Sequence, residues 1–136
     1  MIADFPLDFA RFKKIARPNQ FLALPAGFAS QQSPDATVGR FQASVDEVRD
    51  AWLEILRSEP RVSHIRQTDG QIEAIQRSAL MGFPDWITAQ PIDLGDGQAS
   101  ICVFSRAKFG IRDFGVNEKR VLAWLAQLAS KLAPAA

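Results

Sequence analysis

The 136-residue chain has no tyrosine, one cysteine, one histidine and a net charge of only +1. Each shortage removes a class of chemistry. Cys102 has no second cysteine to pair with inside the chain, so the fold is not a disulfide scaffold, a pattern that both cytosol and periplasm accommodate. His64 stands alone, and no His/Cys/Asp set has metal-ligand spacing, so neither a metal nor another cofactor is expected. A Ser-His-Asp triad would have to use His64 itself, and neither Ser78 nor Ser105 sits in a nucleophile elbow. Sixteen basic against fifteen acidic residues lack the one-sided excess of a nucleic-acid binder. No run reaches the ~18 apolar residues of a membrane span. Residues 1–4 offer neither the basic start nor the apolar core of a signal peptide.

What is present suits one α+β domain. Apolar residues make up 47% and charged residues 23%, enough for a single core. Residues 1–40 hold Pro6, Pro18, Pro25 and Pro34, which break any long helix, yet they also hold five of the ten phenylalanines. We read them as an irregular arm packed on the domain of residues 41–134, with one short helix near 7–14. Ser44-Val45-Asp46-Glu47 has the form of a capping box, and Val45, Val48, Trp52, Ile55 and Leu56 follow at helical spacing. A helix over 44–59 is expected.

From 61 to 107 the period changes to that of strands. Segments 61–67 and 71–79 flank Asp69-Gly70, and 86–92 and 98–108 flank Gly95-Asp96-Gly97. Ile101 to Phe104 are apolar on both parities, which predicts a strand covered on both faces. Asn117 reads as the N-cap of a last helix, 117–133, with Val116 and Val121 as a hydrophobic staple. The expected fold is a two-layer, four-stranded antiparallel meander with two helices on one face, in the order α-β-β-β-β-α, plus the N-terminal arm. Trp52 and Trp124 should meet in the shared core.

Between the last strand and the last helix, 104–120 gathers two glycines, Asp113, Asn117 and five cations. Here the chain resembles a known family. The pattern G-x-x-D-x-G-V-N, met as Gly110, Asp113, Gly115, Val116 and Asn117, joins QRSALMGFPDWIT at 76–88 and RPNQFLALP at 17–25. Together they resemble the bacterial domain of unknown function 1499 over roughly residues 5–128. Ala107-Lys108 depart from the Ser-Arg pair that relatives show there. The resemblance implies a location for a site but no reaction. It also implies relatives with an apolar segment ahead of residue 4, so the compartment is unknown: cytoplasmic, or periplasmic if such an anchor is trimmed.

Two readings remain for this loop. The first is a non-catalytic module that binds a small anionic ligand or an acidic protein partner through Arg77, Ser105, Arg106, Lys108, Asp113, Asn117 and Arg120. The second is an enzyme with Asp113 or Asp85 as general acid or base and Arg77, Arg106 or Lys108 stabilising negative charge. The missing catalytic sets favour the first. Asp113 itself reads as a loop buttress before it reads as an acid, because Asx side chains commonly organise tight loops. The glycines do not form a phosphate loop, since G-x-x-x-x-G-K-[ST] is absent. Cys102, inside an apolar strand, is expected to be inert packing.

Overall fold

The computed structural model describes residues 5–14, 19–68, 70–108 and 115–134. The first helix, α1 (Val45–Ser58), begins on the expected capping box. The Ser44 Oγ accepts the Glu47 N–H at 3.1 Å, and a Glu47 carboxylate oxygen accepts the Ser44 N–H at 3.0 Å. Val48, Trp52, Ile55 and Leu56 are buried along one stripe, and Pro60 follows the helix end.

Four strands then run antiparallel, each beside the next: β3 (Val62–Thr68), β4 (Gln71–Arg77), β5 (Pro84–Gly95) and β6 (Gln98–Ala107). Asp69, part of the expected first turn, lies outside the described residues. The sheet is larger than the expected meander. Its order is β2-β1-β6-β5-β4-β3, six strands, with β1 (Gln20–Pro25) antiparallel to β6 and β2 (Ala36–Val38) parallel to β1. The antiparallel four-stranded expectation is therefore corrected to a mixed six-stranded sheet. Residues 20–38, read as irregular, supply two of its strands. The physical reason is visible in β1. Phe21 to Leu24 are buried on both faces, so no polar alternation marks them as a strand.

Both helices pack on one face, as expected. α2 (Val116–Lys131) and α1 bury their stripes against Phe21, Ala23, Ile72, Ala74, Ile87, Ala89, Ile101 and Val103. Trp52 and Trp124 meet edge to face there, with ring centroids 5.8 Å apart. The opposite face carries a smaller cluster of Leu7, Phe9, Leu22, Leu24, Cys102 and Phe104. Leu7 and Phe9 belong to residues 5–14, which make one turn at Asp8 rather than the expected short helix. This segment is tied down by polar contacts as well as by burial. The Leu7 N–H donates to Gln71 Oε1 at 2.7 Å, and Gln71 Nε2 donates back to the Leu7 carbonyl. Ser30 Oγ donates to the Phe9 carbonyl at 2.7 Å, and the Phe12 ring lies 4.9 Å from Phe104. Among the described residues, no helix is long and apolar enough to cross a membrane.

Candidate functional site

Adjacent residues of a strand point to opposite faces, and β6 divides the candidate residues by that rule. Ser105, on the parity of Ile101 and Val103, faces the helices. Arg106, on the parity of Cys102 and Phe104, faces residues 5–14. The cluster that reads as one loop site in sequence is thus two polar centres separated by the sheet.

The helix-side centre fixes the start of α2. Gly115, with φ at +79°, occupies the N-cap position and offers no side chain, so Asn117 is not the cap expected of it. Its side chain has other partners. Asn117 Oδ1 accepts from Ser105 Oγ at 2.5 Å and from Arg120 Nη1 at 2.8 Å, while its Nδ2 donates to the Asn19 carbonyl at 3.1 Å. Arg120 Nε donates to Gln76 Oε1 at 2.5 Å, and Nη2 pairs with Asp85 at 2.9 Å. Val116 is 44% exposed, so the expected staple to Val121 is not made. Every side chain of this group holds a partner. Its arrangement is that of a buttress joining the lead-in of β1 and strands β4, β5 and β6 to the start of α2.

Of the other expected site residues, Arg77 is exposed and donates Nη1 to the Gly82 carbonyl at 3.0 Å. The Lys108 side chain is exposed, and its backbone N–H donates to the Pro84 carbonyl at 3.2 Å. Asp113, Gly110 and Arg112 lie outside the described residues. Asp85 and Arg106 face opposite sides of the sheet, so they do not form one acid–base site.

The arm-side centre has a different character. Arg106 is 2% exposed, and Nη1 donates to Thr88 Oγ1 at 2.8 Å and to the Phe104 carbonyl at 3.1 Å. Its carbon Cζ lies 5.0 Å from the Phe104 ring centroid, a cation–π contact. Nε and Nη2 are buried and have no partner among the described residues. These two nitrogens form the parallel-donor edge of a guanidinium, the geometry that takes both oxygens of a carboxylate or phosphate. Two further buried atoms on this face are also unmatched: Trp86 Nε1, a donor, and Glu73 Oε2, an acceptor. Trp86 is the direct cross-strand partner of Arg106, and Glu73 that of Thr88. Cross-strand neighbours place their Cβ atoms about 4.5–5.5 Å apart, so the four side chains form one patch.

The electrostatics are unbalanced in one direction. Glu73 is 1% exposed, and its Oε1 is already held by Arg66, with Nη2 at 2.6 Å and Nε at 2.8 Å. Burial pulls the Arg106 pKa down to about 10, with the Glu73 charge opposing the shift. Arg106 is still a cation at neutral pH. An oxyanion against its free edge would meet two or three donors and cancel that charge. Among the described residues, no three His, Cys, Asp or Glu side chains converge to hold a metal ion.

Trp86, Thr88 and Glu73 were missed in the sequence reading. A signal was present for Glu73, a carboxylate between Ile72 and Ala74-Ile75 in a segment buried on both parities. Trp86 carries no such mark, because an aromatic residue at a strand start is ordinary core material. A comparison with curated proteins gave no match. Residues 13–128 match the family model described as a protein of unknown function (DUF1499), a span that contains both polar centres. The chain belongs to that family.

Proposed function

We propose that this domain binds a small anionic molecule through the Nε/Nη2 edge of Arg106, with Trp86 Nε1 as a further donor. Glu73 Oε2 then accepts a hydroxyl or ammonium of the same ligand. The observation that carries the reading is a buried guanidinium whose bidentate edge has no partner among the described residues. Buried polar groups are normally matched, and an unmatched charged edge costs more than an unmatched neutral one. A carboxylate satisfies that edge with two parallel hydrogen bonds. The reading keeps Arg106 from the set expected in sequence and makes Ser105, Asn117 and Arg120 its supporting frame on the far side of the sheet. It is a binding role, with no reacting group assigned.

The test uses acetate, succinate, 2-hydroxypropanoate and inorganic phosphate as probes, with thermal unfolding as the readout. A specific anion stabilises the folded state by mass action, about 2.7 kcal/mol at a hundredfold excess over its dissociation constant. At least one carboxylate should raise the midpoint of the wild type and leave Arg106→Gln and Trp86→Phe unmoved. Equal shifts in all three proteins would show general salt stabilisation and end the proposal.

A further inference from the structure

The turn between β4 and β5 is apolar where hairpin turns are ordinarily polar. Leu80 is 90% exposed, Met81 64% and Phe83 52%, and all three sit within four residues of one another. The turn is nonetheless well built. Ser78 N–H donates to the Phe83 carbonyl at 2.9 Å, the Phe83 N–H to Ser78 Oγ at 3.1 Å, and the Gly82 N–H to the Ser78 carbonyl at 3.1 Å. Arg77 Nη1 closes it onto the Gly82 carbonyl. Gly82, with φ at +70°, allows the reversal. The apolar tip is therefore held outward by its own backbone.

Its surroundings are basic. Arg61, Arg77 and Lys119 line a shallow depression together with Ser78, Ala79 and the half-exposed Val116. Arg61 Nε donates to the Arg77 carbonyl at 3.0 Å, which fixes the two cations side by side. Of the acids at this end, Asp85 pairs with Arg120. Glu59, which lines the same depression and accepts from the neutral donors of Trp124 and Gln127, and the exposed Glu118 keep their charge, so the cations exceed the uncompensated acids by three to two. An exposed apolar turn flanked by cations does not fit a groove-binding helix, which needs a concavity. It fits a bilayer interface, where apolar side chains enter the acyl boundary while lysine and arginine meet anionic headgroups.

We propose that the 78–83 turn docks this end of the molecule onto an anionic lipid surface. The contact is peripheral, with Leu80, Met81 and Phe83 as the inserted residues and Arg61, Arg77 and Lys119 as the headgroup contacts. It stands apart from the Arg106 site and does not depend on it.

Co-sedimentation with two sets of vesicles tests it, one of phosphatidylcholine and one of phosphatidylcholine mixed with phosphatidylglycerol. The wild type should pellet with the mixed vesicles, weakly with the neutral ones, and less as salt rises. Each basic residue near an anionic surface strengthens binding roughly fivefold, so Arg61→Gln/Lys119→Gln should weaken it by roughly twenty-five-fold. The Leu80→Ser/Met81→Ser/Phe83→Ser variant should lose at least about tenfold, and its unfolding midpoint should match the wild type because these side chains bury little. Wild-type protein that stays in solution with the mixed vesicles overturns the proposal, as does a triple variant that pellets like wild type. Self-association without vesicles, abolished by the triple variant and unaccompanied by vesicle binding, assigns the tip to a second copy and overturns it equally.

Discussion

Cys102 and Arg106 share one face of β6, and burial drives both toward their neutral forms, the thiol up to about 12 and the guanidinium down to about 10. The stability consequences have opposite signs. Cys102 has a folded pKa above its ordinary value of 9.0, so its contribution is fully present below pH 9 and is lost as pH rises toward 12. Between pH 8 and pH 10 the wild type should lose about 1 kcal/mol more stability than Cys102→Ala, read from denaturant midpoints. Identical pH profiles would mean that the thiol is not buried in the folded state. Arg106 runs the other way: it costs stability while charged, and that cost falls away as pH rises above about 10 toward the ordinary arginine range. That effect is common to both proteins and cancels. Removing the charge tests it directly. Arg106→Met should raise the stability of the ligand-free protein by about 1 kcal/mol or more, since an apolar side chain of similar volume escapes the desolvation cost. A loss of several kcal/mol instead would mark Arg106 as a structural brace. This residue was named in sequence for its place among cations, but its two unmatched nitrogens were not legible there. They depend on Trp86 and Glu73, from two other strands, and on the strand parity that turns Arg106 away from Ser105.

The start of α2 shows how an element can be framed without a capping side chain. Gly115 provides the turn, and the buried amide of Asn117 and guanidinium of Arg120 tie the first turn to β5 and β6 and, through the Asn19 carbonyl, to the lead-in of β1. Arg120→Met removes the cation paired with Asp85 and the donor to Gln76 Oε1, and should cost about 3–5 kcal/mol. Asn117→Ala removes the acceptor of the Ser105 hydroxyl and one of the donors to the Asn19 carbonyl, and should cost about 1–3 kcal/mol. The double variant should cost less than the sum, because both side chains serve one network. Strict additivity in urea titrations would show that the two act separately. Periodicity made α1, α2 and the β3–β6 meander legible, since Trp52, Trp124 and the turn glycines mark them plainly. It failed at β1 and β2. The first is apolar on both faces and ends on Pro25, and the second is three residues long, too short for any period. Asn117 was misread for a related reason. A residue four places before an apolar stripe looks like a cap unless its burial is known.

At the scale of the whole molecule, residues 5–14 close the face that the helices leave bare. Full burial of a large apolar side chain contributes about 1.5–3 kcal/mol before entropy, and Leu7 and Phe9 both reach it. Deleting residues 1–14 should therefore lower the unfolding midpoint and, in native protein, make Cys102 react quickly with a thiol reagent. Unchanged labelling and stability would show that the segment only rests on the sheet. A larger deletion would not be a fair test, because it would remove β1. That strand sits between β2 and β6, and its pairing with β6 joins residues near 22 to residues near 104. The arrangement has a consequence during synthesis. Leu7, Phe9, Phe21, Leu22 and Leu24 leave the ribosome early, while the strand that covers them is finished about eighty residues later. At roughly 5–20 residues per second, that interval lasts roughly 4–16 s. For that time the phenylalanine-rich first quarter of the chain is a sticky, strand-forming segment without its mate. A nascent chain of this design should be a client of ribosome-associated chaperones until β6 emerges and releases it.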